Sequence, residues 1–342
     1  MIFLAALQDS LKGMKQPFIA GIIALIVSYV LTPYVRKLAI HKGAVDDPTR
    51  DDRRVHTEPI PRWGGLAIYA GILVSVISAF LISGQPLKPY VIGILLIGGI
   101  LMLVGALDDL YQYKAKLQAG ILFLAGVAIQ FFYNNPADWK LSRVHIYGFE
   151  MPFTGQYIWL AWAAVPLTAI YIFVVTKTMD TIDGIDGLTA GIATIAGATL
   201  SLIAVFGAQP RVAILAAAVA GSSLGFLRHN YNPAKIFMGT GGAYVLGFTL
   251  ACLSVVGTLK TAAAAAIFMP LLIFGLPLID AMNVVIRRIK NKVPITQADK
   301  RHMHHELLAR GLSQRQTVWV LYIAAAVLCT AGLLVIRVFG AK

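Results

Sequence analysis

The sequence predicts an all-α fold, a polytopic membrane bundle of about ten (10–11) spanning helices in a single integral domain over 1–342. Three observations carry that prediction. Of 342 residues, 58% are hydrophobic and only 13% charged, which is not a soluble globular composition. Apolar stretches of about 15 to 25 residues, the length a bilayer core demands of a helix, recur from end to end. The charge between them collects on one side. A barrel is excluded, because barrel strands alternate apolar and polar residues, and these stretches are apolar throughout.

In order, spans are expected at 17–35, 64–83, 90–107, 117–132, 158–175, 188–207, 212–226, 243–257, 261–286 and 317–338. Only Lys12 and Lys15 precede the first, and no small-residue cleavage site follows it, so it reads as a first span or signal anchor. The connections 36–63, 108–116, 176–187, 227–242 and 287–316 then share one side and hold 20 of the 29 Lys and Arg residues. The positive-inside rule makes that side cytoplasmic, and the net charge of +13 fits a membrane protein with basic cytoplasmic loops. Of the 16 acids, 13 lie on or beside this face, including Asp280 near the end of the ninth span; of the histidines only His145 does not. The longest outer connection, 133–157, contains the alternating Val144-His145-Ile146-Tyr147 and predicts a small hairpin or flap.

Several function classes fall away. Cys252 and Cys329 both lie in apolar spans, so neither a disulfide framework nor a zinc site is indicated. The basic residues are not interleaved with aromatics as a nucleic-acid surface would be. No Walker loop with its Gly-Lys-Ser/Thr is present, which disfavours an ATP-driven machine. A transporter would place polar groups near the midplane in two related halves. Here they sit at one surface and the halves do not resemble each other.

Chemistry concentrates in five stretches of the charged side. The central one is Met179-Asp180-Thr181-Ile182-Asp183-Gly184-Ile185-Asp186-Gly187-Leu188, three acids spaced three apart between two apolar runs. Charge so close to a span is costly and marks function. An EF-hand would space its acids by two, so a calcium loop is a poor reading; a solvated loop ending a helix is the plainer alternative. His56 to Gly65, with Pro59-Ile60-Pro61-Arg62 and two exit glycines, permits close backbone approach; its basic residues could equally meet anionic lipid. Asp108-Asp109 closes a span: paired acids bind a metal or take a proton, or merely end a helix in solvent. Asn230 through Gly242 brings Pro233-Ala234, Phe237-Met238-Gly239 and free amides before a span. His302-Met303-His304-His305 follows Lys300 and Arg301 in the longest basic loop. Its three imidazoles converge only if the run straddles a helix start, and they suit a diphosphate better than zinc. Acids for a divalent cation, cations for phosphates and apolar helix faces for a lipid tail imply transfer between a nucleotide diphosphate and a membrane-bound acceptor.

In order, these motifs resemble the polyprenyl-phosphate N-acetylhexosamine-1-phosphate transferases, the superfamily that includes the phospho-MurNAc-pentapeptide translocase. The likeness covers most of the chain. The His-x-His-His spacing at His302, His304 and His305 is similar to the branch using UDP-N-acetylglucosamine. The resemblance implies transfer of GlcNAc-1-phosphate from the UDP-sugar to undecaprenyl phosphate, releasing UMP and initiating a cell-envelope glycan. Another UDP-sugar, such as UDP-MurNAc-pentapeptide, is the alternative; a lipid-phosphate binder or transporter on the same fold is a third. By the same resemblance Asp108 and Asp109 are the catalytic acids, and Asp108 receives or orients the last proton of the lipid phosphate. Mg²⁺, with Mn²⁺ as substitute, is the implied cofactor, held by Asp180, Asp183 and Thr240. His56, Lys177, Asp183, Asp186, Asn230, Arg301, His302, His304 and His305 would bind the nucleotide sugar or its phosphates. The implied setting is the inner membrane with the site facing the cytoplasm, as a homodimer by analogy.

Two departures stand out. Members commonly read Met-Gly-Asp-Thr/Ser-Gly-Ser, whose Asp is a metal ligand, where this chain has Met238-Gly239-Thr240-Gly241-Gly242-Ala243. They also read Asn-x-x-Asn-x-x-Asp-Gly, where this chain has Lys177 and Asp180 in place of the two Asn. The expectation is a relocated carboxylate, with Asp180 replacing the one absent at Thr240; the competing reading is weakened metal binding.

Overall fold

The computed structural model describes residues 2–48, 58–84, 86–133, 144–150, 156–257, 272–292 and 302–339. In chain order the helices are α1 (Ile2–His41), α2 (Gly64–Ser83), α3 (Pro89–Tyr111), α4 (Ala115–Ala128), α5 (Ala164–Thr181), α6 (Leu188–Phe206), α7 (Pro210–Asn230), α8 (Gly239–Gly257), α9 (Gly275–Lys290), α10 (Met303–Ala309) and α11 (Gln314–Phe339). Among the described residues eight helices are long and apolar enough to cross a membrane, and the chain is a multi-pass membrane protein. The expected fourth span is a shorter apolar helix over Ala115–Phe131. Residues 261–271 of the expected ninth lie outside the described residues, and 275–286 of its remainder fall within α9.

The bundle is built around α8, in which every residue except Thr240 is buried. A helix apolar all round belongs in the interior, and α2, α3, α5, α6 and α7 surround this one. Helices in a bilayer gain little from the hydrophobic effect and associate through close backbone packing, which small residues permit. A Cβ on Gly65 of α2 or on Gly105 of α3 would overlap the backbone of α8 at Gly241 or Gly242. The outer helices α1 and α11 instead expose large side chains such as Phe18, Tyr34, Ile323 and Val327, the surface expected against lipid.

The charged ends of the helices run further than hydropathy indicates. Asp108 and Asp109 lie on α3, and Lys177 and Asp180 on the last turns of α5, not in loops. Hydropathy marks where the apolar run stops, whereas backbone hydrogen bonding continues past the first charge. Two small sheets close the ends. β1 (Val45–Asp46) pairs antiparallel with β2 (Ile60–Pro61), and the chain continues past β2 so that Gly64 and Gly65 donate to the carbonyls of Phe237 and Met238 at 2.9 and 2.8 Å. At the other end the expected hairpin is present, with β3 (Gly148–Glu150) against β4 (Tyr157–Trp159). Its first strand begins just after the alternating 144–147 run that predicted it.

Candidate active site

Asp109 ends α3 with its side chain fully buried, and three elements meet on it. Arg62 donates from Nη1 to Asp109 Oδ1 at 3.2 Å and, through Nη2, pairs with Asp46 at 3.0 Å. The amide of Thr240, in the first turn of α8, donates to the same Oδ1 at 3.1 Å. A carboxylate at a helix N-terminus meets free amides and the positive end of the dipole. The second oxygen, Oδ2, has no hydrogen-bond partner and packs against Gly239, whose φ is 71° and where any Cβ would overlap it. Only glycine accepts both that φ and that approach.

Asp108 faces a different set of groups. Its Oδ1 accepts from the amide of Tyr113 at 2.7 Å, and the amide nitrogen of Gln118 spans both oxygens at 3.0 and 3.1 Å. The other end of Gln118 accepts from Lys177 Nζ at 3.0 Å, and Lys177 lies 2.6 Å from Asp180 Oδ2. Lys177 and Asp180 are three apart on one helical face, the spacing that lets such a pair meet. The ammonium lies 6.0 Å from the ring centre of Tyr244, whose buried hydroxyl has no hydrogen-bond partner.

Beyond α5 the chain turns sharply at Ile182–Gly187. Burial pushes the Asp183 carboxyl up to about 7, and the charges of Asp180 and Asp109 add to it while Arg62 opposes. Asp186 and Asn230 buckle this turn to the segment after α7. Asp186 Oδ2 accepts from Asn232 Nδ2 at 2.9 Å and from the Ala234 amide at 3.0 Å. Asn230 accepts from the Gly187 amide at 3.1 Å and donates to the Ile236 carbonyl at 3.0 Å.

On the far side of Gly184 sit the histidines. His302 is the residue before α10, so the run does straddle a helix start. The rings of His302 and His304 stack at 5.7 Å, and those of His304 and His305 lie 4.3 Å apart. His302 donates from Nδ1 to Asp280 Oδ2 at 2.8 Å, and the Met303 amide donates to Asp280 Oδ1 at 2.7 Å. His304 packs its Nε2 edge against Gly184, and that nitrogen has no hydrogen-bond partner. Burial, with the neighbouring His305 and His302, pulls the His304 imidazole down to about 3, so it is neutral near pH 7. It would meet a ligand as a neutral polar group.

Residues 91–258 match the glycosyl transferase family 4 model. A relative described as a probable undecaprenyl-phosphate N-acetylglucosaminyl 1-phosphate transferase, from Bacillus subtilis (strain 168), is 36% identical over 305 residues, covering 89% of this chain and 81% of its own. The chain belongs to this family. Within it, the decaprenyl-phosphate N-acetylglucosaminephosphotransferase of Mycolicibacterium smegmatis is 29% identical over 93% of this chain and 82% of the relative. The undecaprenyl-phosphate alpha-N-acetylglucosaminyl 1-phosphate transferase of Escherichia coli (strain K12) is 27% identical over 88% and 79%.

The structure of this family member gathers Asp108, Asp109, Lys177, Asp180, Asp183 and Thr240 at one end of the bundle. His302, His304 and His305 lie across Gly184 from them, and Asp186 and Asn230 hold the loop between. His56 and Arg301 lie outside the described residues. Sequence reasoning gave no role to Gln118, Tyr244 or Asp280. Gln118 and Tyr244 look like ordinary helix residues in the sequence, whereas Asp280 carried a signal, an acid inside an apolar run.

The magnesium expectation can be set against this donor set. Among the described residues no group of three or more His, Cys, Asp or Glu side chains is placed to hold a metal ion. Both oxygens of Asp108 accept hydrogen bonds, Asp180 Oδ2 is paired with Lys177, and Asp109 Oδ1 is shared by Arg62 and the Thr240 amide, leaving its Oδ2 unpartnered against Gly239. The residues as arranged do not fit a divalent ion.

Proposed function

We propose that the protein transfers N-acetylglucosamine-1-phosphate from UDP-N-acetylglucosamine to undecaprenyl phosphate, releasing UMP, at the inner membrane with its site facing the cytoplasm. The names of the relatives supply the two substrates and the positive-inside charge the orientation. The observation that carries the reading is the convergence at one end of the bundle of an acid–base cluster from α3, α5 and α8 with a histidine cluster on α10.

In the proposed step an oxygen of the lipid phosphate bonds to the phosphorus bearing the sugar. The bond from that phosphorus to the bridging oxygen breaks, and UMP leaves with that oxygen. Such transfer is mostly positioning and charge stabilisation. A phosphate monoester has a second pKa near ~6, so the acceptor is largely a dianion at neutral pH and no obligatory base is needed. Asp108, fixed by Tyr113 and Gln118, would order the acceptor and accept a proton from any monoanion that binds. The cations Lys177 and Arg62 would face the diphosphate. His302, oriented by Asp280, and the neutral His304 would donate or accept hydrogen bonds at its oxygens.

The test is UMP release by the purified protein with undecaprenyl phosphate and UDP-N-acetylglucosamine. Product with that donor is expected. Product only with a pentapeptide donor would move the substrate to UDP-MurNAc-pentapeptide, and binding of lipid phosphate without turnover would make the protein a binder. Sedimentation in detergent tests the homodimer implied by analogy.

A further inference from the structure

The acids at this end of the bundle have a cation in their midst, not only at their edge. Lys177 Nζ lies 2.6 Å from Asp180 Oδ2 and 3.0 Å from Gln118 Oε1, and Gln118 passes the contact on to both oxygens of Asp108. One ammonium thus ties α3 and α5 together through a single amide. It is not sealed in: the Lys177 side chain is 36% exposed against 18% for Asp180. An ammonium has three donors, and two of them are accounted for here. The third can turn to an incoming anion.

A divalent ion would compete with this ammonium for the same oxygens. Mg²⁺ demands a near-octahedral oxygen set and gives up its waters reluctantly. Entering here, it would have to break the Lys177–Asp180 pair and then sit beside the displaced like charge. Elsewhere Asp108 is engaged at both oxygens and Asp109 at Oδ1, and among the described residues no three acids or histidines gather to hold an ion. The chain sets a cation at 177 beside an anion at 180, which cancel, and offers only a hydroxyl at 240.

We propose that Lys177 does the work of a metal ion: its ammonium, positioned by Asp180 and Gln118, binds the donor diphosphate, and transfer proceeds without a divalent cation. This rests on the transferase reading above. The ammonium donates to diphosphate oxygens while the lipid-phosphate oxygen bonds to the sugar-bearing phosphorus and the bridging P–O bond breaks. With a dianionic acceptor no proton changes hands. In this arrangement Lys177 is the catalytic residue and Asp180 a positioning residue that holds it.

The experiment uses the full-length protein in detergent, stripped with EDTA, with two readouts. UMP release is expected to stay within about two-fold on moving from EDTA to excess Mg²⁺. Mn²⁺ added to the protein is expected to keep the electron paramagnetic spectrum of the free ion. Turnover abolished by EDTA and restored by Mg²⁺, or a bound Mn²⁺ spectrum, overturns the proposal. Lys177→Asn is expected to lose about 100-fold or more of the EDTA-resistant turnover, with Lys177→Arg retaining part of it; wild-type turnover by Lys177→Asn in EDTA also overturns it. If Lys177→Asn does not fold, the two wild-type measurements decide. If the wild type releases no UMP under any condition, the transferase reading fails, and the Mn²⁺ spectrum still decides whether the ammonium excludes the ion.

Discussion

His302 and Asp280 form a hydrogen-bonded pair at 2.8 Å, and the Met303 amide reaches the same carboxylate at 2.7 Å. One side chain on α9 thereby fixes both the ring of His302 and the first turn of α10. Asp280→Ala would strand a buried ring nitrogen and an amide, at a cost of about 1–3 kcal/mol in stability. UMP release should fall by about 10-fold, a typical effect of removing a group that orients a working imidazole. Asp280→Asn, which keeps an acceptor, should recover more of the stability than of the rate. Thermal melts and initial rates on both variants check this.

Arg62 is the cation for a fully buried Asp109. Removing one partner of such a pair leaves an uncompensated charge and costs about 3–5 kcal/mol. Arg62→Ala should therefore be among the most damaging changes in the β1–β2 region. Adding Asp109→Asn should restore part of the loss, because the stranded charge goes with it. A double-mutant cycle on melting temperature measures the coupling; additive effects would show that the pair is not energetically linked.

Asp183 supplies a pH dependence. Its carboxyl stands at about 7 in the folded chain against a model-compound value of 3.8. Folding thus favours the protonated form. The resulting stabilisation is full below the unfolded value and is lost as pH rises through the folded one. His304 acts in the opposite sense: its imidazole is depressed to about 3, so its contribution is lost as pH falls. Comparing variant with wild type separates the two. The advantage of Asp183→Asn in melting temperature should grow between about pH 4 and pH 8. A difference independent of pH would mean that this carboxyl is not the titrating group.

Two glycines of α3 should respond in opposite ways to alanine. Alanine gains up to about 1 kcal/mol in helix propensity over glycine. At Gly98 the nearest atom to a new Cβ is Thr249 Oγ1 at 3.9 Å, so Gly98→Ala should be neutral or stabilising. At Gly105 the new methyl would overlap the α8 backbone, and overpacking of about 1–3 kcal/mol outweighs the propensity gain. Gly105→Ala should also reduce activity, because Thr240 and its contact to Asp109 move with α8. Expression, melting temperature and turnover of the two variants make the comparison.

The sequence by itself determined the class of fold, most of the spans and the side on which the chemistry gathers. These properties are local: an apolar run long enough for a bilayer can be recognised without its neighbours, and so can a motif such as His302–His305. Even the condition for converging imidazoles, a helix start within that run, could be stated from 3.6-residue geometry. Only the tertiary structure decided which charges are paired. Arg62 meets Asp109 across 47 residues, Lys177 meets Gln118 across 59, and His302 meets Asp280 across 22. Those pairings depend on how the segment after β2 meets α3, how α4 packs on α5 and how α9 meets the start of α10, which no periodicity records. The sequence alone suggested that Asp180 could replace the carboxylate absent at Thr240. In the folded chain Lys177, one turn earlier on the same helix, already holds Asp180, because residues three apart share a helical face.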